Sequence, residues 1–154
     1  MQEAAGLGDI ERTADSAQFA PEIQGATDVE RLALARREQY QLRKYLLQKR
    51  ELRCGICGRE MPARYLHAAH IKKRSTATER ERKDLENIVM WACTLGRDQA
   101  FECGDLAITP EGTITLSSSD TVFLNQAFGH LEGQKAPAFN TDNAHYFAAR
   151  SRSR

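Results

Sequence analysis

Hydrophobic and polar positions alternate with several different periods along this chain. Residues 1–26 mix Gly, Ala, Asp and Glu with neither a helical nor a strand period, which predicts a mobile acidic tail. At Thr27 the character changes. Thr27-Asp28-Val29-Glu30 fits the T-x-x-E capping signature, and the stretch that follows, to about Arg50, lacks Gly and Pro and is rich in Leu, Ala, Arg, Gln and Glu. A helix is expected within 27–53. Leu32, Ala35, Leu42 and Leu46 fall near one face of it, while Arg36, Arg37, Arg43, Lys44 and Lys49 make much of the rest basic.

Cys54-Gly55-Ile56-Cys57-Gly58 interrupts that pattern with a tight turn. Residues 65–71 and 88–91 then read as two strands of a hairpin, separated by a polar, charged loop over 72–86, with Asn87 opening the second strand. A short helix over 98–103 is stopped by Gly104, and 106–109 with 113–116, joined by Pro110-Glu111-Gly112, form a further hairpin. The last predicted helix is 120–128, within a C-terminal segment, 117–154, that packs on the core as helix and tail. Trp91, Phe101, Phe123, Phe128 and Phe147 lie in apolar stretches and are expected in the core. His130 and His145 have no partner spacing and are expected at the surface. Strands and helices in this order predict an α+β fold.

The charge balance matters only when divided along the chain. Formal net charge is +1 overall, yet residues 30–83 carry sixteen bases against six acids, while both flanks are acidic. A basic centre of +10 is the footprint of a phosphate-backbone partner, set against the plainer reading of a solvated helix face. Four cysteines in 154 residues are too few for a disulfide scaffold. No apolar run reaches the roughly 18 residues of a membrane span, and no signal-peptide core is evident, so a reducing, cytoplasmic setting without membrane contact is expected.

Several residues have chemistry at useful spacing. Cys54-x-x-Cys57 lets one turn present two sulfurs to a tetrahedral Zn²⁺ at about 2.3 Å, which by itself is half a site. Cys93 and Cys103 read at first as small buried residues. His70 stands before the cations Lys72, Lys73 and Arg74, and Asp98 and Glu102, four apart, present two carboxylates on one helix face to a hard cation. A base, the Asn87 amide and a carboxylate pair are the parts a phosphodiesterase needs.

The segments CGICG, YLHAAHIKKRS, ENIVMWAC and LGRDQAFECGDL together resemble the HNH endonuclease family, in the branch with an Ala-Ala-His-Ile first motif and a D-x-x-F-[DE]-x-G last motif. The likeness covers roughly residues 36–116 and extends weakly to His145-Tyr146-Phe147. It implies a ββα-metal, treble-clef-like core over 54–116 with an N-terminal basic helix and a C-terminal hairpin plus helix. His70 matches the general base and Asn87 the residue that steadies the base-bearing loop. Asp98 and Glu102 match the ligands of a catalytic Mg²⁺ or Mn²⁺, and Cys54, Cys57 and Cys93 match three ligands of a structural zinc. Two positions depart from the family. Ala69 replaces the metal ligand that many relatives carry just before the base, and Arg97 replaces the fourth cysteine. A guanidinium cannot ligate zinc, so the fourth ligand stays open, with Cys103 and His67 as the residues that would have to fill in.

The resemblance implies a metal-dependent endonuclease acting on DNA, with Lys72, Lys73, Arg74 and Arg97 on phosphates. The competing expectation is a nucleic-acid-binding module that keeps the fold and has lost cleavage. A zinc-knuckle protein-interaction domain is the third, and it leaves the set from His70 to Glu102 unused.

Overall fold

The computed structural model describes residues 26–152, so the predicted acidic tail lies outside the described residues. The chain forms two compact units, Met1–Arg36 and Arg37–Arg154, divided within the first helix. Of the first unit only residues 26–36 are described, and they are the start of α1 (Ala26–Lys49). Thr27 is therefore inside the helix and not at its cap, and the helix ends at Lys49, short of the predicted limit.

The second unit is mixed α+β, with two small antiparallel sheets. Its elements are the end of α1, β1 (Leu66–His70), α2 (Glu79–Lys83), α3 (Leu85–Ile88), β2 (Val89–Cys93) and α4 (Arg97–Cys103). They continue with β3 (Leu106–Ile108), β4 (Ile114–Leu116), α5 (Thr121–Phe128) and α6 (Ala144–Arg152). Strand β1 pairs antiparallel with β2, from Leu66 opposite Cys93 to His70 opposite Val89, and β3 pairs with β4. All five residues of β2 are buried, which is why this strand reads as a continuous apolar run without alternation.

Leu42 and Leu46 of α1 are buried, but Leu32 and Ala35 of the same predicted face are exposed, so the apolar face is buried only towards the end of the helix. Arg43, assigned to the solvated basic face, is instead half-buried: it donates to the carbonyls of Ala63 and Leu66 and lies 5.3 Å over the Trp91 ring. A guanidinium on a long stem covers apolar surface while its fork satisfies two carbonyls, so a basic pattern on a helix does not by itself mark a free face.

Three further expectations need correction. Residues 72–86 are not a plain loop: α2 forms there because Thr78 accepts from the Glu81 amide while the Glu81 carboxylate accepts from the Thr78 amide, a complete capping box. Asn87 does not open β2 but belongs to α3, whose backbone amides at Asn87 and Ile88 both donate to Asp84. Phe123 is 63% exposed, since Leu124 and Phe128 are the residues of α5 that face inward, whereas Trp91, Phe101, Phe128 and Phe147 are buried as expected. Helix α6 buries Tyr146 and Phe147 within the segment that the sequence pattern leaves as packing tail. No helix among the described residues is long and apolar enough to cross a membrane.

Candidate functional site

The tight turn after α1 builds the first site. Gly58 has φ +74°, a left-handed conformation that costs a glycine nothing, and a Cβ on Gly55 would stand 2.7 Å from the Ala138 Cβ. The amide of Gly55 donates to the Trp91 carbonyl (2.7 Å) and its carbonyl accepts from Ala138 (3.0 Å), so the turn is laced to β2 and to the later chain. This brings the sulfurs of Cys54, Cys57 and Cys93 within 4.8 Å of one another, the only group of three or more such donors among the described residues that is so close. Three thiols at this separation can hold one metal ion such as zinc.

Cys54 is the centre of the group. Its Sγ accepts backbone N–H bonds from Ile56 (3.4 Å), Cys57 (3.5 Å) and Cys93 (3.3 Å). The Cys93 thiol and these amides hold the Cys54 thiol down at about 5 against the opposing effect of burial. Cys93, donor to that sulfur and itself buried, is pushed up, and burial likewise raises Cys57. These bonds favour the thiolate form of Cys54. The fit to a soft, thiolate-binding ion is good in donor type.

Neither substitute for a fourth ligand joins this group. Cys103 is exposed, with its Sγ 3.2 Å from an Asp105 carboxylate oxygen. His67 sits in β1 opposite Ala92, and its charge bears on Asp98. Arg97 stays beside the sulfurs, where its charge acts on Cys57; its guanidinium lies 5.5 Å from the Phe128 ring centroid, and it donates to the Leu95 carbonyl (3.0 Å). Its Nε is buried without a partner.

The second site lies at the other end of β1. His70 ends the strand with its Nε2 buried and unpartnered, 3.9 Å from a Glu38 carboxylate oxygen of α1. Burial lowers its pKa, with Glu38 and Glu102 acting against that and Arg74 and Arg150 acting with it. Helix α4 carries the two carboxylates. Burial raises Asp98, Glu102 raises it further, and His67 and Arg150 oppose the rise. Asp98 and Glu102 stand four apart on this helix, and Glu102 is paired with Arg150 (3.3 Å).

Asn87 is placed differently. Its amide donates to Asp84 (3.0 Å), whose other oxygen accepts from Tyr146 (2.7 Å), and the backbone next to it is tied to the end of β1, where Ile71 donates to the Ile88 carbonyl. It lines a cleft of about 450 Å³ with Lys49, Arg53, Gly55 and Met90, away from His70. A separate cleft of about 360 Å³ runs beside Glu102 and includes Lys73, Ser117 and Arg150.

The predicted phosphate-binding run is partly engaged within the protein. Lys72 is paired with Glu81 (2.8 Å) and Arg74 with Glu38, while Lys73 lines the cleft beside Glu102. Two residues that sequence reasoning missed belong here, Glu38 and Arg150. Arg150 donates to the carbonyls of His70 (3.1 Å), Ile71 (3.2 Å) and Phe101 (2.9 Å) and to the Glu102 carboxylate (3.3 Å). Their partners are 32 and up to 80 positions away, so no local spacing signalled them.

Comparison with models of protein families and with curated proteins finds no match to this chain.

Proposed function

We propose that the chain is an HNH-type, metal-dependent endonuclease that hydrolyses DNA phosphodiester bonds. The observation that carries this reading is the buried Nε2 of His70 at a strand end, without a hydrogen bond, 3.9 Å from Glu38 and in the field of Glu102 on α4. A neutral imidazole nitrogen with no hydrogen bond to give up, and a pKa below the usual histidine value, is suited to accept a proton near neutral pH. In the proposed step His70 takes a proton from water, the water oxygen bonds to phosphorus, and the bond from phosphorus to the 3′ oxygen breaks. Asp98 and Glu102 would hold the Mg²⁺ or Mn²⁺, which supplies positive charge against the developing negative charge. Lys73 and the exposed cations of α1 would hold flanking phosphates, Arg74 would join them on release from Glu38, and the three cysteines would hold a structural zinc that braces the turn.

A second reading, a DNA-binding module without cleavage, is favoured by one specific observation. Among the described residues the oxygen and nitrogen donors of His70, Asp98 and Glu102 do not form a close group of three, and Ala69 adds none. The deciding experiment is nicking of supercoiled plasmid by purified protein in Mg²⁺, Mn²⁺ or EDTA. Metal-dependent nicking by the parent, reduced about 10²-fold or more in His70→Ala with DNA retention unchanged, supports the nuclease. Retention of DNA without nicking in any metal supports the module, and undiminished nicking by His70→Ala removes the proposed base.

A further inference from the structure

Arg150 belongs to no motif, yet its guanidinium touches both halves of the proposed centre. One nitrogen donates to the carbonyls of His70 and Ile71, where β1 ends, and the other to the Phe101 carbonyl and the Glu102 carboxylate in the last turn of α4. The group lies 4.0 Å over the Phe101 ring, and only 11% of the side chain is exposed. One turn earlier on α6, Tyr146 holds Asp84, the residue that Asn87 also bonds. A single helix thus grips the base-bearing strand, the carboxylate-bearing helix and the Asn87 turn.

We infer that Arg150 is the positioning residue that sets the spacing between His70 and Glu102, making α6 part of the catalytic apparatus; the inference rests on the nuclease reading above. The reason lies in the shape of the group. A planar fork with five donors reaches carbonyls on two different elements at once, while a lysine ammonium is a point charge that must choose one side. The bonds to backbone carbonyls fix the chain itself, so they fix where His70 begins its side chain. The Glu102 bond holds one carboxylate oxygen in place and leaves the other to a cation. Displacements of about 1 Å at a catalytic group cost up to about 10²-fold in rate, so loss of this grip has a kinetic signature beyond lost stability.

The test uses the full chain as parent, Arg150→Lys and Arg150→Gln. Thermal melting and DNA retention in EDTA establish that each variant is folded and binds. Expected for both variants is a fall in kcat of about 10-fold or more, with KM for DNA little changed and the Mn²⁺ concentration for half-maximal nicking raised. Lys is expected to be no better than Gln, because charge without the fork does not span the two elements. A readout independent of cleavage is paramagnetic broadening of the His70 imidazole signals by Mn²⁺, which should require several-fold more Mn²⁺ in the variants. Equal broadening in parent and variants, or kcat and Mn²⁺ requirement both within about 2-fold of the parent, overturns the positioning role. A parent that never nicks DNA but whose broadening is weakened by the substitutions overturns the nuclease reading and leaves the positioning role standing.

Discussion

Cys54 has two separable jobs, and substituting it should reveal both. As one of three close thiols it can ligate a metal, and as the acceptor of three backbone N–H bonds at 3.3–3.5 Å it organises the turn with or without one. Cys54→Ala removes the acceptor and leaves three amides, two of them in buried surroundings, without a partner. N–H bonds to sulfur are weak, so about 0.5–1 kcal/mol each is a fair figure, or about 1.5–3 kcal/mol together. At roughly 3–5 °C per kcal/mol for a folded unit of this length, the melting temperature should fall by about 5–15 °C even with the metal chelated. Cys57→Ala removes a ligand and one backbone bond to sulfur, from Arg59, against three for Cys54, so with chelator present it should lose only about 2–5 °C. At saturating zinc both variants should also lose the linkage term, which for free zinc at 1,000 times its dissociation constant is about 4.1 kcal/mol. Cys54→Ser keeps an acceptor and should recover part of the metal-independent loss. The assay is differential scanning calorimetry of the four proteins, each at fixed free zinc and with excess chelator. Equal melting of Cys54→Ala and Cys57→Ala in chelator refutes the argument, because the amide bonds to Cys54 would then carry no stability of their own.

Arg97→Cys should tighten zinc and raise the melting temperature in zinc only, as titration with a competing chelator would show; an unchanged affinity means a fourth donor already completes the site. Burial holds the His70 pKa below its usual value, so the acidic limb of kcat/KM should lie below about 6.5, the rate falling as the base protonates. Glu38 raises that pKa, so Glu38→Gln should move the limb to still lower pH, and a limb that moves upward contradicts the assignment. DNA affinity should fall with salt at a log-log slope of about −0.9 per phosphate contact. Since Arg43, Lys72 and Arg74 are engaged internally, that slope should be well short of the value the sequence's cation count suggests, and a slope near zero makes the basic stretch a solvated face.

Features written in neighbouring residues were legible beforehand. Gly104 does stop α4 after Cys103, and the Pro110-Glu111-Gly112 turn does join β3 to β4, because capping and turn chemistry act within a few residues. The Thr78-x-x-Glu81 signature of α2 is equally local, lying within the charged run that reads as a loop. The second strand started late for a similar reason: Asp84 caps a short turn that absorbs Asn87. What no window reveals is the fate of a long cation. Arg43 and Arg150 look alike on their helices, yet each finds backbone carbonyls supplied by distant segments. Proximity of Cys93 to Cys54 came from the resemblance and is realised through the pairing of β1 with β2 and the Gly55 link to Trp91.

That pairing has a consequence for how the two sites depend on each other. The same five-rung ladder carries Cys93 opposite Leu66 at one end and His70 opposite Val89 at the other. At about 3.3 Å per residue the ends are roughly 13 Å apart, too far for direct contact yet tied by a single register. A slip of one residue in β2 would turn Cys93 away from Cys54 and leave every rung of β1, His70's included, opposite a residue of the wrong face. An ion clasped by the sulfurs would act as a pin through one end of a ruler: it would hold β2, the strand against which His70 is registered, to the turn after α1.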